Sequence, residues 1–386
     1  MRKHWIDNLR WVTVLLVLAY HVVYFFNNKG VPGGIGGFGE GPQYQDTLMY
    51  VLYPWFMPLL FILAGISARY ALERKPACEW FKTRTRKLLV PSTIGLFFFG
   101  ALLGWINSQM APTIPAETMA QLPPEAQAQI SAGAPAMAEL PGFVQYIIWA
   151  ISGTGPLWFI QDLWLLSIVL ILVNWLDSRG RLYKLCGKMN VVTVILLGVF
   201  FYLGHQTLIQ NPNPLSAEGL INLYKPQFYV IPLLLGFFVF GHDKVQEMLG
   251  RFWISLMTFA IASFTVLITL GYGQDISSPE FLSSPINNIY GWFMCLAMMG
   301  WFKARFDKTG PFASYMTRSS YGIYILHYLV VASLGTLLKQ HTDLSPALIY
   351  VLMFLGVFGI TPIFYELVRR IPFLRWCALG EANVTH

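Results

Sequence analysis

Ten stretches of predominantly apolar residues run through this chain of 386 residues. Each approaches the roughly 20 residues that a helix needs to cross about 30 Å of hydrocarbon, and nothing else in the chain limits its fold as strongly. They lie at about residues 9–27, 48–72, 88–108, 155–176, 191–210, 226–241, 252–271, 285–302, 320–338 and 346–366, the second interrupted by Pro54 and Pro58 and the sixth short. In hydrocarbon only a helix or a closed barrel satisfies every backbone group. The expectation is an all-α integral membrane protein of about ten transmembrane helices in one bundle. Composition agrees: 12% of the residues are charged, against roughly 25% in soluble domains, too few to cover a water-soluble globule of this size. No polar stretch is long enough to fold separately, so residues 1–386 read as a single membrane domain.

Cytoplasmic connections of membrane proteins carry an excess of Lys and Arg. If the ten segments alternate in direction, 23 of the 26 basic residues fall on one side, leaving Lys29, Lys225 and Lys339 on the other. This predicts a multi-pass protein of the cell (inner or plasma) membrane with both termini cytoplasmic. It also turns the net charge of +7 into a topological signal and removes the case for a nucleic-acid partner. No small-residue cleavage site follows Phe26, so the first segment reads as an uncleaved anchor. Of the four cysteines, Cys78, Cys186 and Cys377 fall on the cytoplasmic side and Cys295 within a helix. No structural disulfide, metal site or tightly bound cofactor is expected. The largest outer loop, about 109–141, holds Glu117, Glu125 and Glu139 without a basic residue and reads as a loosely packed lid. A formal G-x-G-x-x-G at Gly34, Gly36 and Gly39 follows a membrane helix instead of a strand, so a nucleotide fingerprint is rejected.

Ionisable groups inside membrane helices are costly and usually functional. The first helix carries Asp7, Arg10 and His21. At about 100° per residue, Arg10 and His21 differ by about 20° around the axis, and the rise sets them roughly 16 Å apart. Asp7 falls about 40° from His21 on the same stripe. Arg10 alone could snorkel to headgroups, and a lone histidine could be an interhelix hydrogen-bonder; the pair on one stripe favours a working face. Asp162, in Leu157-Trp158-Phe159-Ile160-Gln161-Asp162, sits at a depth comparable to His21 and would be a partner to fix its tautomer. His327 shares a helix face with Tyr324, and two readings stand: a residue lining a cavity, or a packing residue tied to a neighbouring hydroxyl. The densest basic stretch ends in Arg84-Thr85-Arg86-Lys87. It sets topology and meets headgroups, and it also suits a phosphate-binding mouth.

The Arg10 and His21 spacing in the first of ten helices resembles the membrane acyltransferase type 3 family. So do the basic stretch leading into the Leu- and Pro-containing third helix, the Leu157-Trp158-Phe159 opening, and Ser320-Tyr321-Gly322-Ile323-Tyr324-Ile325-Leu326-His327. The resemblance covers nearly the whole chain. It implies an O-acyltransferase moving an acetyl or succinyl group from cytoplasmic acyl-CoA, a co-substrate, to a hydroxyl of an extracytoplasmic or membrane-associated acceptor, expected to be a cell-envelope carbohydrate. It implies His21 as catalytic histidine with Arg10 as its essential partner and Asp162 in support. The donor phosphates would lie near Arg10, Arg84, Arg86 and Lys87, with Trp158, Tyr324 and His327 along the substrate tunnel. Two positions depart from the family: Lys87 where Arg is frequent, and Gln161-Asp162 where Glu is common. The competing class is a transporter or flippase of an anionic sugar or lipid, with Arg10 and His21 as a binding and proton-relay pair. Its usual pointer, inverted repeats with matched broken helices, is not evident between the two halves.

Overall fold

A computed structural model describes residues 3–28, 34–39, 41–110, 124, 127–128, 139–208 and 225–381. All regular structure among the described residues is helical. In chain order the α-helices are α1 (His4–Phe25), α2 (Thr47–Leu52), α3 (Phe56–Leu72), α4 (Ala77–Leu89), α5 (Phe99–Gln109) and α6 (Gly142–Ser152). They continue with α7 (Trp158–Leu176), α8 (Arg181–Cys186), α9 (Val191–Leu196), α10 (Gly198–Leu208), α11 (Pro226–Phe238) and α12 (Asp243–Gly271). The last five are α13 (Pro279–Ser283), α14 (Pro285–Arg305), α15 (Pro311–His341), α16 (Pro346–Arg370) and α17 (Pro372–Leu379).

Every one of the ten expected segments contains helix. Among the described residues seven spans are long and apolar enough to cross a membrane, and an eighth if the stretches Ala77–Phe97 and Phe99–Gln109, bent by 53°, count as one. Of the other two, α11 has only 13 residues, and α14 dilutes its 21 with Asn287, Asn288, Lys303 and Arg305. The third segment is not one helix. Val90 precedes Pro91, whose ring disfavours helical backbone before it, and the chain turns through Ile94–Phe97 before α5 begins. α12 and α15 begin about nine residues earlier than hydropathy marks them, because their polar first turns keep helical bonding beyond the apolar stretch. Most of the 109–141 loop lies outside the described residues.

Local chemistry explains the boundaries. Proline opens α11, α13, α14, α15, α16 and α17, where its missing N–H costs nothing and its fixed φ suits the first turn. Ser278 and Ser284 cap α13 and α14 by accepting from the backbone N–H of Phe281 and Asn287. Between α2 and α3 the helix breaks at Pro54. Val51 O there accepts from Trp55 Nε1 and Tyr290 OH, each at 2.6 Å. Side chains thus replace the lost backbone partner, as a broken helix in hydrocarbon requires.

The chain resolves into two compact units interleaved in sequence: Met1–Val17, Thr47–Leu88 and Phe159–Tyr321 in the first, and Leu18–Asp46, Leu89–Trp158 and Gly322–His386 in the second. In the first unit α3 packs on α11, and α12 on α14. A Cβ placed on Gly65 would sit 2.1 Å from Leu233 O, and one on Gly236 2.2 Å from Ile62 O. These are the small residues that let membrane helices approach backbone to backbone. In the second unit α6 packs on α5 through Gly104 and Gly153, whose Cβ positions fall 2.0 Å from Trp149 O and 1.8 Å from Gly100 O.

Candidate active site

α1 is one unbroken helix of 22 residues, so the spacing of Arg10 and His21 holds: about 16 Å along the axis and about 20° around it. Its first turns belong to the first unit. There Arg10 Nη1 donates to Asp7 Oδ1 at 3.3 Å and Nη2 to Ser67 Oγ at 2.6 Å. Ser67 sends its own proton to Leu63 O at 2.7 Å, which turns an oxygen lone pair to the guanidinium. Arg10 is therefore aimed by two neighbours while its side chain stays 38% exposed.

Arg10 opens onto a cavity of about 840 Å³ whose wall includes Lys3, Asp7, Ser67, Arg74, Lys75 and His242. Glu73, Tyr183 and Asp243 also line it. Each of its carboxylates already faces a cation: Asp7 faces Arg10, Glu73 faces Arg69, and Asp243 faces Lys3. Arg74 has no ion pair among the described residues. Burial pulls the Lys3 ammonium down, but its hydrogen bonds to Asp243 and Tyr70 more than offset this and hold it above its ordinary value. Tyr183 stacks on His242 with ring centroids 3.8 Å apart, and Arg69 covers the Tyr183 ring at 3.7 Å. Burial raises the Tyr183 phenol to about 12 and lowers His242, whose Nε2 donates to Tyr183 O at 2.8 Å.

His21 lies in the second unit with Trp158, Tyr324 and His327. At Nδ1, where a carboxylate partner would sit, it meets His327 Nε2 at 3.1 Å. His327 Nδ1 in turn lies 2.6 Å from Tyr324 O. The His21 ring is edged by Tyr20, Tyr24 and Tyr328 at 5.2, 5.8 and 5.0 Å. His327 is fully buried, at 0% exposure, and His21 is partly exposed. The Tyr324 hydroxyl donates to Pro156 O in the turn before α7, so its contact is with the segment that begins at Gly155 and carries Trp158.

The remaining expected residues lie in the first unit. Arg84 is turned onto α7, its Nε donating to Ser167 Oγ at 2.6 Å and its guanidinium 5.0 Å from the Trp80 ring. It does not line the cavity. Arg86 and Lys87 are exposed, and Lys87 O accepts from Tyr321 OH. Asp162 is buried at 6% exposure, and its Oδ2 has no hydrogen-bond partner among the described residues. The rejected glycine motif has a structural role in the second unit. The carbonyls of Ile35, Gly36 and Gly37 all accept from Lys339 Nζ. The loop thus turns oxygens to a cation, the opposite of a phosphate cradle.

Sequence reasoning missed Lys3, Ser67, Arg74, Tyr183 and His242 in the cavity wall and Tyr328 beside His21. His242 is partly exposed. The signal for Ser67 was within reach: a hydroxyl two residues before Arg69, near the end of an apolar helix that returns to the side of Arg10. A family model described as an acyltransferase domain matches residues 3–366. No curated protein and no solved structure matches the chain.

Proposed function

The chain belongs to the membrane acyltransferase type 3 family, and on that premise we propose that it moves an acetyl or succinyl group from acyl-CoA to a hydroxyl of a carbohydrate acceptor at the outer side of the membrane. What supports the reading is α1: Arg10 in the wall of an 840 Å³ cavity and His21 on the same helix face about 16 Å further along. The cavity is the donor mouth on the cytoplasmic side, in keeping with the basic residues counted there. Its carboxylates are already offset by cations, so Arg74, which has no ion pair among the described residues, presents net positive charge to the donor's phosphates, and the exposed part of Arg10 offers them further N–H donors. Arg84, Arg86 and Lys87 contribute charge near the mouth, Arg84 more as a brace on α7 than as a ligand.

The pantetheine arm carries the thioester toward His21. The His21 imidazole takes the proton of the acceptor hydroxyl as its oxygen bonds to the thioester carbonyl carbon. The C–S bond then breaks, and the departing CoA sulfur takes the proton back. Holding donor and acceptor in this geometry supplies much of the rate. Trp158, Tyr324 and His327 surround the acyl path.

The test is acyl transfer by the purified full chain in lipid nanodiscs, with labelled acetyl-CoA and succinyl-CoA and a panel of sugars. His21→Ala is expected to fall to background while remaining folded. Wild-type transfer by the folded variant would overturn the role of His21. Binding of CoA without transfer to any hydroxyl would overturn the reaction.

A further inference from the structure

The two histidines determine each other's tautomers. A backbone carbonyl can only accept, so at 2.6 Å from Tyr324 O the Nδ1 of His327 carries a proton. A second proton on His327 would bury a cation at 0% exposure, against the rings of Tyr324 and Tyr328, and such burial is costly. Neutral His327 then presents a bare Nε2 lone pair. Facing it at 3.1 Å is His21 Nδ1, and two nitrogens at that distance need one proton between them. That proton belongs to His21 Nδ1, which leaves the in-plane lone pair of His21 on Nε2.

We propose that His327 is the positioning residue of this site: the chain Tyr324 carbonyl, His327, His21 holds the His21 imidazole in the Nδ1–H tautomer, so that Nε2 is the atom that takes the acceptor's proton. This rests on the acyl-transfer reading of His21. The arrangement does what the carboxylate of a Ser-His-Asp triad does for orientation, with a neutral ring in place of a counter-charge. When His21 accepts a proton at Nε2, its Nδ1–H still donates to His327, so the imidazolium keeps its hydrogen bond through the step. No covalent bond forms on His327, and the proton count returns to its start when the thiolate is protonated. The ring that meets His21 Nδ1 stands 306 residues along the chain.

Two measurements test this on the full chain in nanodiscs. The first is 15N NMR of histidine-labelled wild type, with the His21 signals assigned by their loss in His21→Gln. The expected result is a protonated Nδ1 and an unprotonated Nε2 at neutral pH; the opposite tautomer overturns the proposal whatever the activity. The second is kinetics. His327→Ala is expected to lower kcat about 100-fold or more, as tautomer loss does elsewhere, with the donor KM within about twofold. His327→Gln puts an amide oxygen where Nε2 was and is expected to recover at least about tenfold of that loss. A folded His327→Ala with kcat within about threefold of wild type and an unchanged pH profile overturns it, as does equal loss in the Gln variant. Absence of transfer by wild type would remove the proposed reaction, while the NMR result would still decide the hydrogen-bonded chain.

Discussion

Ser67→Ala is the perturbation that most directly questions the donor mouth. Ser67 touches no proposed reacting atom, and its oxygen accepts from Arg10 Nη2 at 2.6 Å while its proton goes to Leu63 O at 2.7 Å. A hydrogen bond to a charged group is worth about 1.5–3 kcal/mol. The Arg10 side chain is 38% exposed, so water replaces part of that bond, and about 1 kcal/mol is the fair expectation once solvent screening is counted. Because about 1.4 kcal/mol is tenfold, the donor KM should rise about fivefold. The acceptor KM and kcat should stay within about twofold, since Arg10 is proposed to act at the phosphate end, where a loss of aim is a loss of uniform binding. In an Arg10→Lys background the same Ser67→Ala change should cost much less, because the fork that Ser67 aims is gone. The assay is initial-rate transfer over a range of labelled acetyl-CoA concentrations, with donor binding checked by calorimetry using CoA. A fall in kcat at constant donor KM would refute the reasoning by moving Arg10 into the chemical step. An effect of the same size in the Arg10→Lys background would refute the contact as its cause.

Three further outcomes concern stability. Gly236→Ala would drive its methyl to within 2.2 Å of Ile62 O, a backbone atom that moves only if α3 and α11 separate. A loss of about 1–3 kcal/mol is expected, read as a lower thermal midpoint in nanodiscs. Gly359→Ala, whose new methyl meets nothing within 4 Å, should instead hold or raise it. The His242 ring is held below its ordinary value chiefly by burial. Above about pH 6.5 it is neutral whether folded or unfolded. As pH falls below that, the unfolded chain binds a proton that the folded one resists, so stability should decline through this window and not recover within it. His242→Gln should flatten that part of a melting-midpoint profile against pH; an equal slope in both proteins would put the linkage elsewhere.

Much of the candidate site's frame was visible along the chain because it depends on short-range geometry. Helix periodicity alone sets Arg10 and His21 on one face, and α1 is unbroken, so the arithmetic holds. The prolines and serines that open α13 and α14 are equally local. Charge composition was a weaker guide to individual residues. Arg84 and Lys87 share a basic stretch, yet one braces α7 through Ser167 and the other is exposed, because side-chain direction on α4 depends on what packs beside it.

What the sequence determined by itself was the solvent: apolar length and scarce charge require helices in a membrane, and the family match over residues 3–366 fits the motifs read there. Tertiary structure decided which polar groups meet. α6, at 11 residues, is too short to announce itself by hydropathy and exists against α5 because Gly104 and Gly153 allow contact. His327 finds His21, and Lys339 finds the carbonyls of residues 35 to 37, across more than 300 positions. Hydrophobic patterning records only which face avoids water. The partner of a buried donor or acceptor is set by helix packing, and a hydrogen bond between distant residues leaves no periodic trace in either segment.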